Sequence, residues 1–175
     1  DFCLGLDREV AIEPARPLAI ARIAQLTQRT NQMNLTTRRY AEAEVESFQR
    51  DPNGRVYSIA ARDKFGDHGI IGAMFVRLDG NACHIDNFLM SCRVLGLNLE
   101  QYVVAYAAKI AKQANVSTLV GEFIPTAKNK VAADMYPKLG FKKGKEQCFS
   151  LDLKECSVRA PEHIRPGLGA VSRAR

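Results

Sequence analysis

The most informative part of the sequence for the fold is Ser91-Cys92-Arg93-Val94-Leu95-Gly96-Leu97-Asn98. It lies between a strand predicted over 82–91 and a long helix predicted over about 98–114. A glycine-containing loop in this position turns backbone N–H groups toward the positive end of a helix dipole, where a pyrophosphate binds. The side chain of Arg93 would add a charge-assisted hydrogen bond. The stretch therefore predicts a phosphate site, and taken alone it suits a plain connection between strand and helix equally well.

Periodicity on both sides of this loop predicts a mixed α/β fold. The predicted elements are helices over 17–30 and about 41–50, strands over 55–63, 70–78 and 82–91, the helix over about 98–114, a strand over 118–124, a short helix over 129–138, and one or two strands at 141 and 148–153. In the third strand, alternation assigns one face to His84, Asp86, Phe88 and Met90. Hairpins followed by a β-α-β crossover imply a mostly antiparallel sheet with helices on both faces.

Composition narrows the function classes. The chain has 175 residues, 46% of them hydrophobic, and a net charge of +6, as expected for one globular domain. No apolar stretch is long enough for a membrane span, no secretory signal opens the chain, and no arginine-rich run indicates nucleic acid. Five cysteines and three histidines show neither disulfide nor metal spacing, which predicts free thiols, no metal site and a cytoplasmic location.

A second motif lies downstream, Asn129-Lys130-Val131-Ala132-Ala133-Asp134-Met135-Tyr136-Pro137-Lys138-Leu139-Gly140-Phe141. It resembles the pattern Asn-x-x-Ala-x-x-hydrophobic-Tyr-x-x-x-Gly-Phe of the GCN5-related N-acetyltransferase (GNAT) superfamily. Residues 93–98 resemble the acyl-CoA signature of the same superfamily, Arg/Gln-x-x-Gly-x-Gly/Ala, with Asn98 in place of the last small residue. The resemblance covers roughly residues 15–153 and implies a GNAT-like fold and acyl transfer.

A narrower resemblance links residues 22–40, 85–96 and 123–129 to the C-terminal part of FkbH-like proteins. In that family a haloacid dehalogenase-like domain precedes a GNAT-like domain, and the protein loads a glyceryl unit from 1,3-bisphosphoglycerate onto an acyl carrier protein for polyketide-type biosynthesis. The resemblance implies that residues 1–14 are a connector from a preceding domain and that 15–153 form the acyltransferase domain. Residues 154–175 are expected to be a poorly packed extension.

The resemblance implies that CoA, or the phosphopantetheine of an acyl carrier protein, binds at the loop. GNAT proteins pair the pantetheine amides with the backbone of the central strand, which corresponds to Leu89, Met90 and Ser91. The residues expected to contact the cofactor are Leu89, Met90, Ser91, Arg93, Val94, Leu95, Gly96, Leu97, Asn98 and Asn129.

Four residues are candidates for catalysis. Tyr136 matches the GNAT position that protonates the leaving thiolate, although Pro137 disfavours helical geometry at the residue before it. Cys92 at a helix N-terminus beside Arg93 is expected to have a lowered thiol pKa and could carry an acyl group, or it is simply a small buried residue. His84 and Glu122 are alternative general bases, and Asp86 shares the His84 face.

A polar patch follows the first predicted helix. Its amides and hydroxyls suit a small polyol such as a glyceryl group, and Arg38 suits a phosphate or carboxylate. The same residue types also form capping and turn networks between helices. The candidate substrate residues are Thr30, Asn31, Gln32, Asn34 and Arg38.

Three functions remain open from the sequence. The first is transfer of a glyceryl unit to the thiol of an acyl carrier protein, and the second is acetyl-CoA-dependent N-acetylation. The third is a non-catalytic GNAT-like module that docks the carrier protein and supports the upstream domain. Lysines over 128–130 and 138–145 are candidates for docking an acidic carrier protein.

Overall fold

The computed structural model describes residues 7–167, and within them eight strands form one sheet. The strands, in chain order, are β1 (Arg8–Pro14), β2 (Gly54–Asp63), β3 (Gly66–Leu78), β4 (Cys83–Met90), β5 (Thr118–Glu122), β6 (Lys142–Lys143), β7 (Cys148–Asp152) and β8 (Ile164–Pro166). Their order across the sheet is β6-β7-β5-β4-β3-β2-β1-β8. Neighbouring strands are antiparallel except for β4 beside β5 and β1 beside β8. The predicted, mostly antiparallel sheet is confirmed.

Helices cover both faces of the sheet. Those of residues 7–167 are α1 (Pro17–Arg29), α2 (Glu42–Arg50), α3 (Leu99–Gln113) and α4 (Met135–Lys138). On one face α1 and α2 pack against β2, β3 and β4, while α3 and α4 pack on the other face, and each face has its own hydrophobic core. The helix α3 joins the parallel strands β4 and β5, which is the predicted β-α-β crossover. The mixed α/β fold class is therefore confirmed.

A β-bulge in β4 changes which side chains share a face. Phe75 of β3 pairs with Asn87 and the next residue, Val76, pairs with Ile85, so Asp86 is the extra residue. The predicted alternation is wrong beyond Asp86, because one additional residue exchanges the two faces of all that follow. Phe88 and Met90 pack into the core under α3, and Leu89 packs against α1.

The sheet extends beyond the predicted domain boundaries. Residues 8–14, expected to belong to a connector, form β1 and pair with β2 from Glu9 to Pro14. Residues 164–166, expected in a poorly packed extension, form β8 beside β1, and Ile164 is buried. Only residues 1–6 and 168–175 of these two predicted segments lie outside the described residues. The boundaries at 15 and 153 would therefore cut through one sheet.

The helix predicted over 129–138 is interrupted. A 3-10 turn covers Lys130–Ala132 and the four-residue α4 follows. Pro137 lacks the N–H that would donate to the Ala133 carbonyl, and its ring crowds that carbonyl, so a regular α-helix does not run from Ala133 through Pro137.

Candidate active site

A gap opens between β4 and β5, and it is filled by the chain itself. The two strands pair only where Cys83–Ile85 lies beside Leu119–Gly121. Farther along, the segment Met33–Leu35 from the α1–α2 connection lies against the free edge of β4, and Asn34 bridges to Leu89 in antiparallel fashion. We call Met33–Leu35 the wedge.

Main-chain hydrogen bonds hold the wedge on both sides. The Met90 N–H donates to the Met33 carbonyl at 2.9 Å, and the Leu35 N–H donates to the Phe88 carbonyl at 3.1 Å. On the other side the Ile124 N–H donates to the Leu35 carbonyl at 2.8 Å. The Met33, Asn34 and Leu35 side chains are all buried. The wedge therefore acts as a short strand that closes the sheet where β4 and β5 separate.

Asn129 fastens the wedge from the downstream motif. Its side chain is fully buried, and its Nδ2 donates to the Asn34 carbonyl at 3.0 Å and to the Ile124 carbonyl at 2.9 Å. Its Oδ1 accepts from the Thr126 N–H at 2.7 Å. The expected cofactor contact of Asn129 is thus replaced by a structural role, because both amide hydrogens are already used.

The wedge also changes the expected backbone contacts of the pantetheine arm. The Met90 N–H is bonded to the wedge, and the Ser91 N–H is bonded to the Ile71 carbonyl of β3 at 2.7 Å. Leu89 pairs with Ala73 of β3. The β4 backbone predicted to bind pantetheine through Leu89, Met90 and Ser91 is therefore already paired in this structure, so a pantetheine arm does not fit along this edge unless the wedge moves.

A large cavity lies between the predicted phosphate loop and the second motif. Its volume is about 400 Å³. The lining residues are Met33, Leu95, Gly96, Asn98, Glu100, Gln101, Val131, Ala132, Asp134, Met135, Lys138 and Leu139. Both motifs that the sequence singled out thus border one cavity, and Met33 separates it from the gap between β4 and β5. The N-terminal end of α3 borders this cavity, and helix N-termini favour bound phosphate, so the cavity is the candidate place for the phosphate end of CoA.

Two residues of the loop adopt left-handed backbone conformations. Gly96 has a φ of 76°, which glycine adopts without strain, and Asn98 has a φ of 57° immediately before α3. Asparagine is among the few other residues that tolerate this region. Asn98 therefore meets the backbone requirement at a position where the GNAT signature has a small residue.

Three other residues of the loop border a different cavity. Arg93, Val94 and Leu97 line a second, smaller cavity of about 140 Å³. The Arg93 guanidinium lies within 3.5 Å of Ser91 Oγ. The predicted contacts of Arg93, Val94 and Leu97 with the same phosphate as Gly96 are therefore not supported, since the loop divides its side chains between two cavities.

Cys92 begins a 3-10 turn over Cys92–Val94 and is exposed. Its thiol is accessible to solvent, which a covalent role requires. The alternative that Cys92 is a small buried residue is wrong.

Tyr136 is buried under the sheet. Its ring lies against Gly121 of β5, so closely that a Cβ at Gly121 would overlap the ring, and it packs between Phe141 and Phe149. Its hydroxyl has no hydrogen-bond partner among residues 7–167, and burial, reinforced by the charge of Glu122, raises the tyrosine pKa. Because the Tyr136 hydroxyl is buried beneath the sheet, it does not reach a thiol in the large cavity. Tyr136 is therefore not in position to act as the predicted general acid.

The two predicted general bases are each paired with a charged group. His84 Nε2 lies 2.7 Å from Asp79 Oδ2 in the β3–β4 turn, at the end of β4 opposite to the loop. Glu122 Oε2 lies 2.8 Å from the guanidinium of Arg38, which also donates to the Asp86 carbonyl at 2.7 Å. Arg38 therefore bridges β4 and β5 above the wedge, and His84 does not belong to this site.

Cys148 is a neighbour of this ion pair that the sequence reasoning missed. It lies opposite Glu122 in the β5–β7 ladder and is half-buried. Partial burial raises the pKa of its thiol, the charges of Glu122 and Glu146 add to the rise, and Arg38 opposes it. Only the strand register brings Cys148 to Glu122, and no local motif in the sequence signals it.

The polar patch of the α1–α2 connection is mainly a capping network. The Thr30 carbonyl accepts from Arg39 at 2.6 Å and from the Asn34 amide at 3.2 Å, and Asn31 also binds Arg39. Gln32 is exposed. Of the predicted substrate residues, Thr30, Asn31 and Asn34 are thus used by the fold, and Arg38 is held by Glu122.

Within residues 7–167, neither a metal-binding cluster nor a membrane-spanning helix is found. No cluster of three or more His, Cys, Asp or Glu side chains there is arranged to hold a metal ion. None of the helices in that range is long and apolar enough to cross a membrane.

Comparison with known proteins identifies the fold. No family model matches the sequence, and no curated protein matches it. Among solved structures, the ribosomal-protein-S18-alanine N-acetyltransferase from Escherichia coli has a TM-score of 0.62 and 13% identity, covering 87% of this chain and 97% of that one. The spermidine N-acetyltransferase from Vibrio cholerae, solved in complex with CoA and spermine, has a TM-score of 0.63 and 10% identity, covering 83% and 96%.

A GNAT-family acetyltransferase from Staphylococcus aureus is similar to the same extent, with a TM-score of 0.61 and 12% identity over 82% of this chain and 99% of that one. These neighbours are acetyltransferases, and two of the similar structures contain CoA. The chain therefore has the fold of these acetyltransferases, the GNAT fold.

Proposed function

We propose that this domain serves acyl transfer by binding the phosphopantetheine arm of CoA or of an acyl carrier protein in the large cavity. The observation that carries the proposal is that both motifs line this cavity. Gly96 and Asn98 come from the loop, and the second motif supplies Val131, Ala132, Asp134, Met135, Lys138 and Leu139. The N-terminal end of α3 offers unpaired N–H groups to a phosphate there. The acyl unit would be glyceryl, in line with the FkbH-like resemblance.

The Lys residues beside the cavity suit an acidic carrier protein. Lys138 lines the cavity, Lys130 precedes the lining residue Val131, and both are exposed. Lys142 and Lys143 form the edge strand β6, and Lys145 follows it, all three exposed. Lys138 Nζ lies 2.6 Å from Asp134 Oδ2, so part of its charge is already compensated. The others are available for electrostatic steering of a negatively charged partner.

In the transfer reaction, bound CoA or carrier phosphopantetheine supplies the thiol that accepts or releases the acyl group. The chain's own residues would orient the phosphate end through the backbone at Gly96 and Asn98. Met33 and Val131 would exclude water along the cavity wall. The wedge keeps the thiol end away from Tyr136, so transfer in the usual GNAT arrangement requires Met33–Leu35 to leave the edge of β4.

The wedge favours a second candidate, a docking module without its own chemistry. With the edge of β4 paired and the Tyr136 hydroxyl sealed, the domain would bind the arm and leave acyl transfer to the upstream domain. N-acetylation, the activity named for several structural neighbours, would need a free base, yet Glu122 and His84 are both paired.

One experiment with three arms separates these functions. The chain is incubated with glyceryl-CoA and pantetheine, with acetyl-CoA and spermidine, and with CoA alone, and the products and the binding are measured by mass spectrometry and calorimetry. Acyl exchange onto pantetheine supports transfer by this domain. CoA binding without exchange supports docking, acetyl-spermidine supports N-acetylation, and no CoA binding in any arm contradicts the proposal.

A further inference from the structure

A buried arginine without a partner lies under the loop, on the side away from the large cavity. Arg8 of β1 is 3% exposed. None of its three guanidinium nitrogens has a hydrogen-bond partner among residues 7–167. Arginine does not lose its proton in proteins, so the side chain carries a buried positive charge that the described residues leave without an acceptor.

The Arg8 side chain borders the smaller cavity of about 140 Å³. Arg62 and Arg93 also line this cavity, with Asp63 and His68. The Asp63 carboxylate is bound by His68 at 3.0 Å, and it lies beyond ion-pair distance of Arg8. The lining of the smaller cavity thus carries three guanidinium groups and one carboxylate, so its net charge is positive even when His68 is neutral.

The size and the remaining lining of the cavity fit a small ligand. A volume of about 140 Å³ corresponds to roughly four or five water molecules, which leaves room for a tetrahedral ion of five heavy atoms. Val10, Ala61 and Leu99 supply apolar walls. Guanidinium groups bind such oxyanions through paired hydrogen bonds, which are stronger where water is excluded.

We propose that this cavity binds a small tetrahedral oxyanion of the phosphate type, with Arg8 as its buried anchor and Arg62 and Arg93 at its rim. The site differs from the phosphopantetheine site, because Arg93, Val94 and Leu97 face this cavity and Leu95, Gly96 and Asn98 face the larger one. The inference does not depend on the proposed function.

Thermal unfolding in chloride buffer and in phosphate buffer of equal ionic strength tests the site. Phosphate is expected to raise the Tm of the wild-type chain, because a ligand bound only by the folded state stabilises it. Arg8→Met should abolish that rise and be at least as stable as the wild type in chloride, because an apolar side chain removes an uncompensated buried charge. The matched control Arg29→Met, on the exposed end of α1, should keep the full rise.

Further measurements identify the class of ligand and distinguish the smaller cavity from the large one. Sulfate should act like phosphate and acetate should have less effect, while Asn98→Asp should keep the part of the phosphate response that Arg8→Met removes. If Arg8→Met does not fold, Arg62→Met and Arg93→Met take its place, and each should reduce the rise. A phosphate response that Arg8→Met retains in full, or that neither rim variant reduces, would overturn the proposal.

Discussion

The side-chain amide of Asn129 donates to the main-chain carbonyl of Asn34 at 3.0 Å, and so ties the second sequence motif to the wedge. The same amide donates to the Ile124 carbonyl just beyond β5. Asn129 therefore holds both borders of the gap between β4 and β5. A residue expected to contact the cofactor instead closes the place where the pantetheine arm was expected.

Asn129→Asp replaces the two amide donors with an acceptor while keeping the shape of the side chain. Because the Asn34 and Ile124 carbonyls would then lose their donor and face a carboxylate, we expect the free energy of unfolding to fall by about 2–3 kcal/mol. Amide exchange at Leu35 and Met90 should accelerate relative to the amides of α3. Gln49→Glu, which removes one half-buried amide bond to the Ala15 carbonyl away from the wedge, is the control. Exchange at Leu35 that stays as slow as in the wild type would contradict this role.

Tyr136→Phe tests whether the buried hydroxyl has a function. The hydroxyl is buried without a partner in the described residues, so its removal should leave the free energy of unfolding unchanged or raise it by about 1 kcal/mol. The control Tyr102→Phe removes a bond to the Val10 carbonyl and should lower it by about 1 kcal/mol. Acyl exchange should be unaffected in Tyr136→Phe. A loss of exchange with stability intact would instead restore Tyr136 as the general acid.

Cys83 makes stability depend on pH on the alkaline side. Burial raises the pKa of its thiol to about 12, whereas in the unfolded chain a cysteine titrates near 8.5. The folded state thus holds the thiol proton more tightly than the unfolded chain does. The contribution of Cys83 to the free energy of unfolding is therefore complete below pH 8.5 and is lost as the pH rises from there toward 12. Denaturant unfolding between pH 8 and 10 should show a falling stability that is flatter in Cys83→Ala and unchanged in the exposed control Cys156→Ala. Equal slopes in all three proteins would contradict it.

The sequence predicts where the helices and strands lie better than it predicts how they pair and pack. The loop over 91–98 and the helix after it are local signals, and α3 begins at Leu99 as expected. The bulge at Asp86 has no such signal in the sequence, because apolar and polar residues alternate in the same way with or without it. The faces predicted for the residues beyond Asp86 are therefore wrong.

Long-range pairing explains the other differences. The segment 8–14 is short and contains charges of both signs, so its sequence alone does not indicate a strand. It becomes one by pairing with β2. The wedge has one sequence signal, apolar Met33 and Leu35 on either side of polar Asn34, yet nothing local says that it fills a gap in the sheet. Arg93 and Gly96 belong to one motif, but the turn over Cys92–Val94 directs them to different cavities.

Titration of CoA into Asn98→Asp decides whether the large cavity receives the phosphate end of CoA. Asn115→Asp is the matched control, because Asn115 has the same left-handed backbone at the other end of α3 and is exposed. A carboxylate at Asn98 should weaken CoA binding at least tenfold by repelling phosphate, while it stabilises the helix N-terminus by about 0.3–1 kcal/mol. Asn115→Asp should bind CoA like the wild type. Equal CoA affinity in all three proteins, with the Asn98→Asp chain folded, would show that the phosphate end of CoA does not bind in the large cavity.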